Sequence, residues 1–274
     1  VEQLITFFKE IGPVYAALIA TTFTWLLTAL GASLVFFFRS SNRAVLDVML
    51  GFTGGVMVAA SFWSLLAPSI AYSEELYPGW EWFPAASGFL GGALFIFFLD
   101  KMMPHLHINF GDAETEGMKS RFQKNTLLML AITLHNIPEG LAVGVLFGAA
   151  FMGGGEEMIP AAIALAFGIG IQNFPEGFAV AMPLRRLGLS RFKSFWYGQM
   201  SAIVEPVAGV IGAIAVIYMQ PVLPFALAFA AGAMIFVVVE EVIPETQRDK
   251  FTDISVLGFI GGFVVMMILD VALG

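Results

Sequence analysis

The sequence predicts an all-α integral membrane protein. Eight transmembrane helices are expected in a 3+2+3 inverted-repeat arrangement, with both termini outside. Three observations lead there. First, 58% of the 274 residues are hydrophobic, only 12% are charged and the mean hydropathy is +0.85, whereas soluble domains carry about 25% charge. Second, polar connections break the apolar sequence at intervals that each fit one membrane crossing of about 20 residues. Third, a polar motif occurs twice, in two consecutive apolar runs.

The expected spans are 13–38, 47–70, 84–103, 125–150, 159–183, 194–219, 222–245 and 253–273, forming a single domain over 1–274. Residues 1–12 lack the basic start and cleavage site of a signal peptide. The longest connection, 104–124, carries His105, His107, Asp112, Glu114 and Glu116. Basic residues set the orientation, because Lys and Arg accumulate on the cytoplasmic side. Arg39, Arg43, Lys101, Lys119, Arg121, Lys124, Arg185, Arg186, Arg191, Lys193, Arg248 and Lys250 all fall at alternate connections, and only Lys9 of the 13 lies opposite. The opposite connections hold Glu74, Glu75 and Glu81, then Glu156 and Glu157. An even number of spans preserves this separation. It places 104–124 in the cytoplasm and predicts a multi-pass protein of the cell membrane, the inner membrane of a bacterium.

Several function classes are excluded at this level. Without cysteine there is no disulfide framework and no thiolate metal site. A net charge of −8 and a pI near 4.8 disfavour nucleic acid, which needs clustered Lys and Arg. The lipid bilayer is the expected solvent. Small residues recur as Gly51, Gly54 and Gly55, as Gly88, Gly91 and Gly92, and as Gly258, Gly261 and Gly262. They predict helix seams of close backbone approach, and such seams would equally serve a homodimer.

The polar groups expected at mid-membrane carry the chemistry. Span four reads His135-Asn136-Ile137-Pro138-Glu139-Gly140 and span five reads Gln172-Asn173-Phe174-Pro175-Glu176-Gly177, while span six contains Ser201 and Glu205. Consecutive spans run antiparallel, so two similar motifs at one depth fit an inverted repeat with a site at its junction. Residues four apart share a helix face. His135 with Glu139, and Gln172 with Glu176, can each hold one ion. Asn136 and Asn173, three residues before each Glu, can share that Glu with a second ion, and Glu205 can add a carboxylate. Pro138 and Pro175 cannot donate backbone bonds, and each is expected to kink its helix and free a carbonyl near the site. Imidazole, carboxylate and amide oxygen without thiolate suit Zn²⁺, Fe²⁺, Mn²⁺, Co²⁺ or Cd²⁺. Three buried carboxylates with no buried Lys or Arg in the same segments call for a cation or protons. No prosthetic group is expected; the metal is cargo.

These paired segments resemble the signature helices of the ZIP (Zrt/Irt-like) family of divalent-metal transporters. The short loops look like its bacterial GufA-type branch. The resemblance implies a binuclear site, with His135, Glu139, Gln172 and Glu176 lining one half. Asn136, Asn173, Glu176 and Glu205 would line the other, with Glu139 shared. It also implies that Met57 in span two supplies a thioether, that Ser64 lines the path, and that spans one, four, five and six move together. The chain departs from common family patterns at Gln172, where many members carry His, and at Asn173, where others carry Asp. The expected activity is Zn²⁺ uptake towards the cytoplasm by alternating access. Glu240 and Glu241, at the end of span seven, and His105 and His107 are candidates for the exit. Asp270, Asp47 and Asp100 are expected at span ends, near the interface. A membrane-embedded metal-dependent hydrolase and a metal-selective channel are the alternatives, and the zincin pattern H-E-x-x-H is absent from the sequence.

Overall fold

The computed structural model describes residues 2–38, 43–102, 124–151, 158–186, 188–218, 220–247 and 252–273. His105, His107 and most of the 104–124 connection lie outside the described residues. Helix α1 (Glu2–Ile11) is amphipathic and buries Phe8 against Phe147, ring centroids 5.0 Å apart. Gly12, at φ 80°, turns the chain into α2 (Pro13–Ser33). Only glycine takes that backbone angle without strain, and Pro13 sits at the first helical position, where no N–H is needed.

The second span joins α3 (Arg43–Ala60) through a wide π-helical turn (Ser61–Leu66) to α4 (Ala67–Leu76). It is 34 residues long and overruns the expected 47–70 at both ends. At its start, Arg43 is neutralised by Asp47 at 2.8 Å and Glu245 at 2.9 Å, so the helix begins at the charge rather than after it. Towards its end, Pro68 does not stop the helix. It follows the π turn, whose wider ring closes from the Ala67 N–H to the Phe62 carbonyl and absorbs the missing donor.

Further along lie α5 (Trp82–Met102), α6 (Lys124–Ala150) and α7 (Ile159–Arg186). They are followed by α8 (Arg191–Met200), α9 (Val204–Tyr218) and α10 (Leu223–Val237). A second π turn (Val238–Val242) leads from α10 into α11 (Ile243–Thr246), and the chain closes with α12 (Thr252–Leu273). Pro244 follows the second π turn as Pro68 follows the first. The expected sixth span is broken: Ser201–Ile203 form a tight turn between α8 and α9. Pro206 then falls in the first turn of α9, where its missing N–H costs nothing. Both α6 and α7 continue through Pro138 and Pro175.

Among the described residues, seven helical segments are long and apolar enough to cross a membrane. The 27-residue α6 lies between them in the chain. The protein is therefore an all-α integral membrane protein. Its helices associate chiefly as α2 with α7, α6 with α9, α3 with α12, and α5 with α10. Glycine makes the last two pairs possible. A Cβ on Gly51 or Gly55 would strike the backbone of Ser255 or Phe259, and one on Gly258 or Gly262 would strike Val48 or Phe52. In the same way Gly88 and Gly92 face the backbone of Phe225 and Phe229, and Gly232 faces Phe89. Helices α5 and α12 also share a sequence: Gly88-Phe89-Leu90-Gly91-Gly92 with Asp100, and Gly258-Phe259-Ile260-Gly261-Gly262 with Asp270.

Candidate functional site

The site forms where α6, α7 and α9 meet beside α2. Its residues come together because each motif glycine admits another helix. A Cβ on Gly140 would press into the backbone of Glu205, so α9 closes on α6 directly after Glu139. A Cβ on Gly177 would strike the Thr28 carbonyl, and one on Gly31 the Phe174 carbonyl, so α2 closes on α7 directly around Glu176. The helix break at Ser201–Ile203 supplies a further contact: the Asn136 Nδ2 donates to the freed Ser201 carbonyl at 3.1 Å.

All seven polar residues expected at mid-membrane are buried. Asn136, Glu139, Gln172, Asn173 and Glu205 have no exposure, and His135 and Glu176 are 8% exposed. The amides neighbour the acids. Gln172 donates its Nε2 proton to Glu139 Oε1. Asn173 donates to Glu205 Oε1 at 2.8 Å and to the Thr24 carbonyl at 3.2 Å. The Thr24 hydroxyl contacts the other oxygen of the same carboxylate, Glu205 Oε2. His135 Nε2 stands 3.0 Å from Glu241 Oε2. Glu139 Oε2, Glu176 Oε2, Gln172 Oε1 and Asn173 Oδ1 are buried without a hydrogen-bond partner among the described residues. Four unsatisfied acceptors in one buried region are costly unless something electropositive meets them. Among the described residues no three His, Asp or Glu side chains form a ready-made metal-holding group. The carboxylates are instead parcelled out to amide, hydroxyl and imidazole neighbours.

The remaining sequence candidates fall into two groups. Glu241 lies in the π turn of the seventh span and reaches the first residue of the α6 motif. Glu240 is its half-buried neighbour in that turn. Met57 is buried in the apolar cluster that includes Leu165, Ile169 and Met234. It lies one turn beyond Thr53, whose hydroxyl donates to the Gln172 carbonyl at 3.3 Å. Ser64 donates to Asp270 Oδ1 at 2.6 Å, away from the paired motifs. Asp270, expected near the interface, is 7% exposed within the protein, with Oδ2 unpartnered among the described residues. Asp47 and Asp100 are buried as well, at 0% and 3%. Hydroxyl pairing for Asp270 and the Arg43 ion pair for Asp47 make burial tolerable. Sequence reasoning missed Thr24 and Thr53. The signal for Thr24 was the series Thr21, Thr24 and Thr28, which lines one buried face of α2.

Outside the spans, the Gly79 N–H donates to Glu81 at 2.6 Å and holds its carboxyl below the usual range.

Buried acids and amides between apolar helices of membrane-spanning length define a class, polytopic membrane proteins with a polar interior. Comparison with known proteins gives the family. The profile described as "ZIP Zinc transporter" matches residues 109–270. The chain is 42% identical to the human protein named Zinc transporter ZIP11, over 95% of this chain and 98% of that one. It is 37% identical to Zinc transporter ZIPB of Bordetella bronchiseptica, over 90% of this chain and 78% of the other. With Zinc transporter GufA of Myxococcus xanthus the identity is 35%, over 94% and 99%. The chain belongs to the ZIP family of metal transporters and is a transport protein, not an enzyme. Identity to ZIP11 exceeds identity to GufA, so the expected GufA-type placement gives way to the family as a whole.

Proposed function

We propose that the chain carries Zn²⁺ across the membrane towards the cytoplasm by alternating access through the paired motifs. One observation carries this reading. Glu139, Glu176 and Glu205 are buried together with His135 and three amides, while among the described residues no Lys or Arg is fully buried to balance them. A divalent cation supplies the missing charge. Relatives with 42%, 37% and 35% identity are named zinc transporters, which favours zinc. The ligand chemistry also admits Fe²⁺, Mn²⁺, Co²⁺ and Cd²⁺.

In this reading the site has two adjacent positions. His135, Glu139, Gln172 and Glu176 serve the first, with Met57 approaching from α3. Asn136, Asn173, Glu176 and Glu205 serve the second, with Glu139 shared. Glu241 takes the ion from His135 on the cytoplasmic side, and His105 and His107 lie further along the exit. Ser64 and Asp270 lie on the outer approach. The eight spans form a 3+2+3 inverted repeat with both termini outside, in the cell membrane. Support for the repeat comes from the helix pairs: exchanging the two halves carries α2–α7 onto α9–α6, and α3–α12 onto α10–α5. The matched π turns and the shared Gly-Phe sequence of α5 and α12 follow the same exchange. In this repeat α2, α6, α7, α8 and α9 move as one unit against the rest. The test is metal flux into liposomes. Glu176→Ala is expected to abolish Zn²⁺ uptake while inserting normally, and undiminished uptake would remove the site.

A further inference from the structure

We propose that Thr24 is a positioning residue that keeps the second ion position weaker than the first. This rests on the metal-binding reading above and concerns how its two halves differ. The difference lies in the carboxylate oxygens. Glu139 and Glu176 each retain a buried oxygen, Oε2, with no hydrogen-bond partner among the described residues. Both serve the first position and are shared with the second. Glu205, the only carboxylate assigned solely to the second position, has neither oxygen open. Asn173 occupies Oε1 at 2.8 Å and the Thr24 hydroxyl occupies Oε2. The open carboxylate oxygens therefore lie on the acids of the first position, while its His135 is engaged by Glu241 at 3.0 Å. In the second, an ion must displace a hydrogen bond made to a buried carboxylate, and such bonds are stronger than neutral ones.

Thr24 is placed for this task by its helix. Its backbone carbonyl accepts from the same Asn173 amide, at 3.2 Å. One residue of α2 thereby fixes both the acid from α9 and the amide from α7. Its hydroxyl has a single proton. That proton serves Glu205, and the Thr21 carbonyl lies 2.9 Å away as a second acceptor. When an ion takes Glu205 Oε2, the hydroxyl turns to Thr21 and leaves no buried donor unsatisfied. The second position thus opens reversibly, by rotation about one bond. Asn173 keeps Oδ1 available, so the ion that enters meets a neutral oxygen as well as the carboxylate.

The test is equilibrium binding of Cd²⁺ to the full chain in detergent micelles, with bound metal counted by mass spectrometry. The wild type should bind one ion tightly and a second at least about tenfold more weakly, the scale of one charge-assisted hydrogen bond. Thr24→Val, which keeps the side-chain shape, should tighten the second ion by about tenfold and leave the first unchanged. Thr24→Ser should restore the wild-type pattern. A residue that only packed α2 would change stability and not the ratio of the two affinities. Two equivalent ions in the wild type, a measurement that needs no variant, would overturn the proposal. An unchanged ratio in a monodisperse Thr24→Val protein would overturn it as well. Failure of the underlying reading looks different: no ion would bind in a manner that depends on Glu139 and Glu176.

Discussion

Replacing Gly177 by alanine adds one methyl group at the α2–α7 crossing. That Cβ would overlap the Thr28 carbonyl and sit 3.0 Å from the Ala32 nitrogen. Both are backbone atoms, so no side chain can rotate away. To reach ordinary contact, α7 must leave α2 by roughly 1 Å in a densely packed interior. Overpacking of this kind costs about 1–3 kcal/mol and should lower the melting temperature by roughly 3–10 °C. The displacement also carries Asn173 away from Glu205 Oε1, now at 2.8 Å, and from the Thr24 carbonyl, now at 3.2 Å. An extra ångström takes both beyond hydrogen-bonding range. At about 0.5–1.5 kcal/mol each, their loss adds to the stability cost, and displacement of the second motif should lower Zn²⁺ flux. Gly261→Ala is the control, because nothing lies within 4 Å of a Cβ there. Thermal unfolding of the purified variants and Zn²⁺ flux in liposomes give the readout. If Gly177→Ala behaved like Gly261→Ala in both, helix approach at Gly177 would not be what holds the second motif in place.

Other perturbations have equally definite outcomes. Arg43→Leu strips the partner from two buried acids, Asp47 and Glu245. It should destabilise the protein towards the lower end of about 3–5 kcal/mol, because the Arg43 side chain is 20% exposed; thermal unfolding with unchanged stability would show the pair to be dispensable. Replacing Glu74, Glu75 and Glu81 by Gln should weaken apparent Zn²⁺ affinity at low ionic strength and have little effect at high salt. An equal effect in both conditions would point to direct ligation rather than a field. Glu241→Gln should slow ion release while leaving Glu139- and Glu176-dependent binding in place; single-turnover efflux from loaded liposomes separates the two.

Much of this architecture was legible because the bilayer itself writes it. A span must be apolar for a fixed length, and loops must be charged. Seven of the described helical segments accordingly have the length and apolarity of a membrane crossing. The buried polar cluster was legible for a related reason: His135, Glu139, Gln172 and Glu176 are expensive residues in apolar surroundings, and their spacing repeats. What the sequence hid depends on contacts between distant residues. Pro68 looks like a helix end until the preceding π turn is known. Ser201 looks like one more small residue until the helix breaks there and its carbonyl meets Asn136. Asp270 looks solvated until Ser64, from another span, is found beside it. Thr24 looks like helix filler, since Thr commonly bonds back to its own helix. Only the approach of α9 to α2 gives its hydroxyl a carboxylate.

Anomalous diffraction from crystals grown with Cd²⁺ or Zn²⁺ puts the account to its hardest trial. It should place an ion between α6 and α7 with oxygen and nitrogen ligands from Glu139, Glu176, His135 and Gln172 at about 2.0–2.4 Å. Ions bound elsewhere, with Glu139 and Glu176 still paired only to protein neighbours at saturating metal, would contradict it.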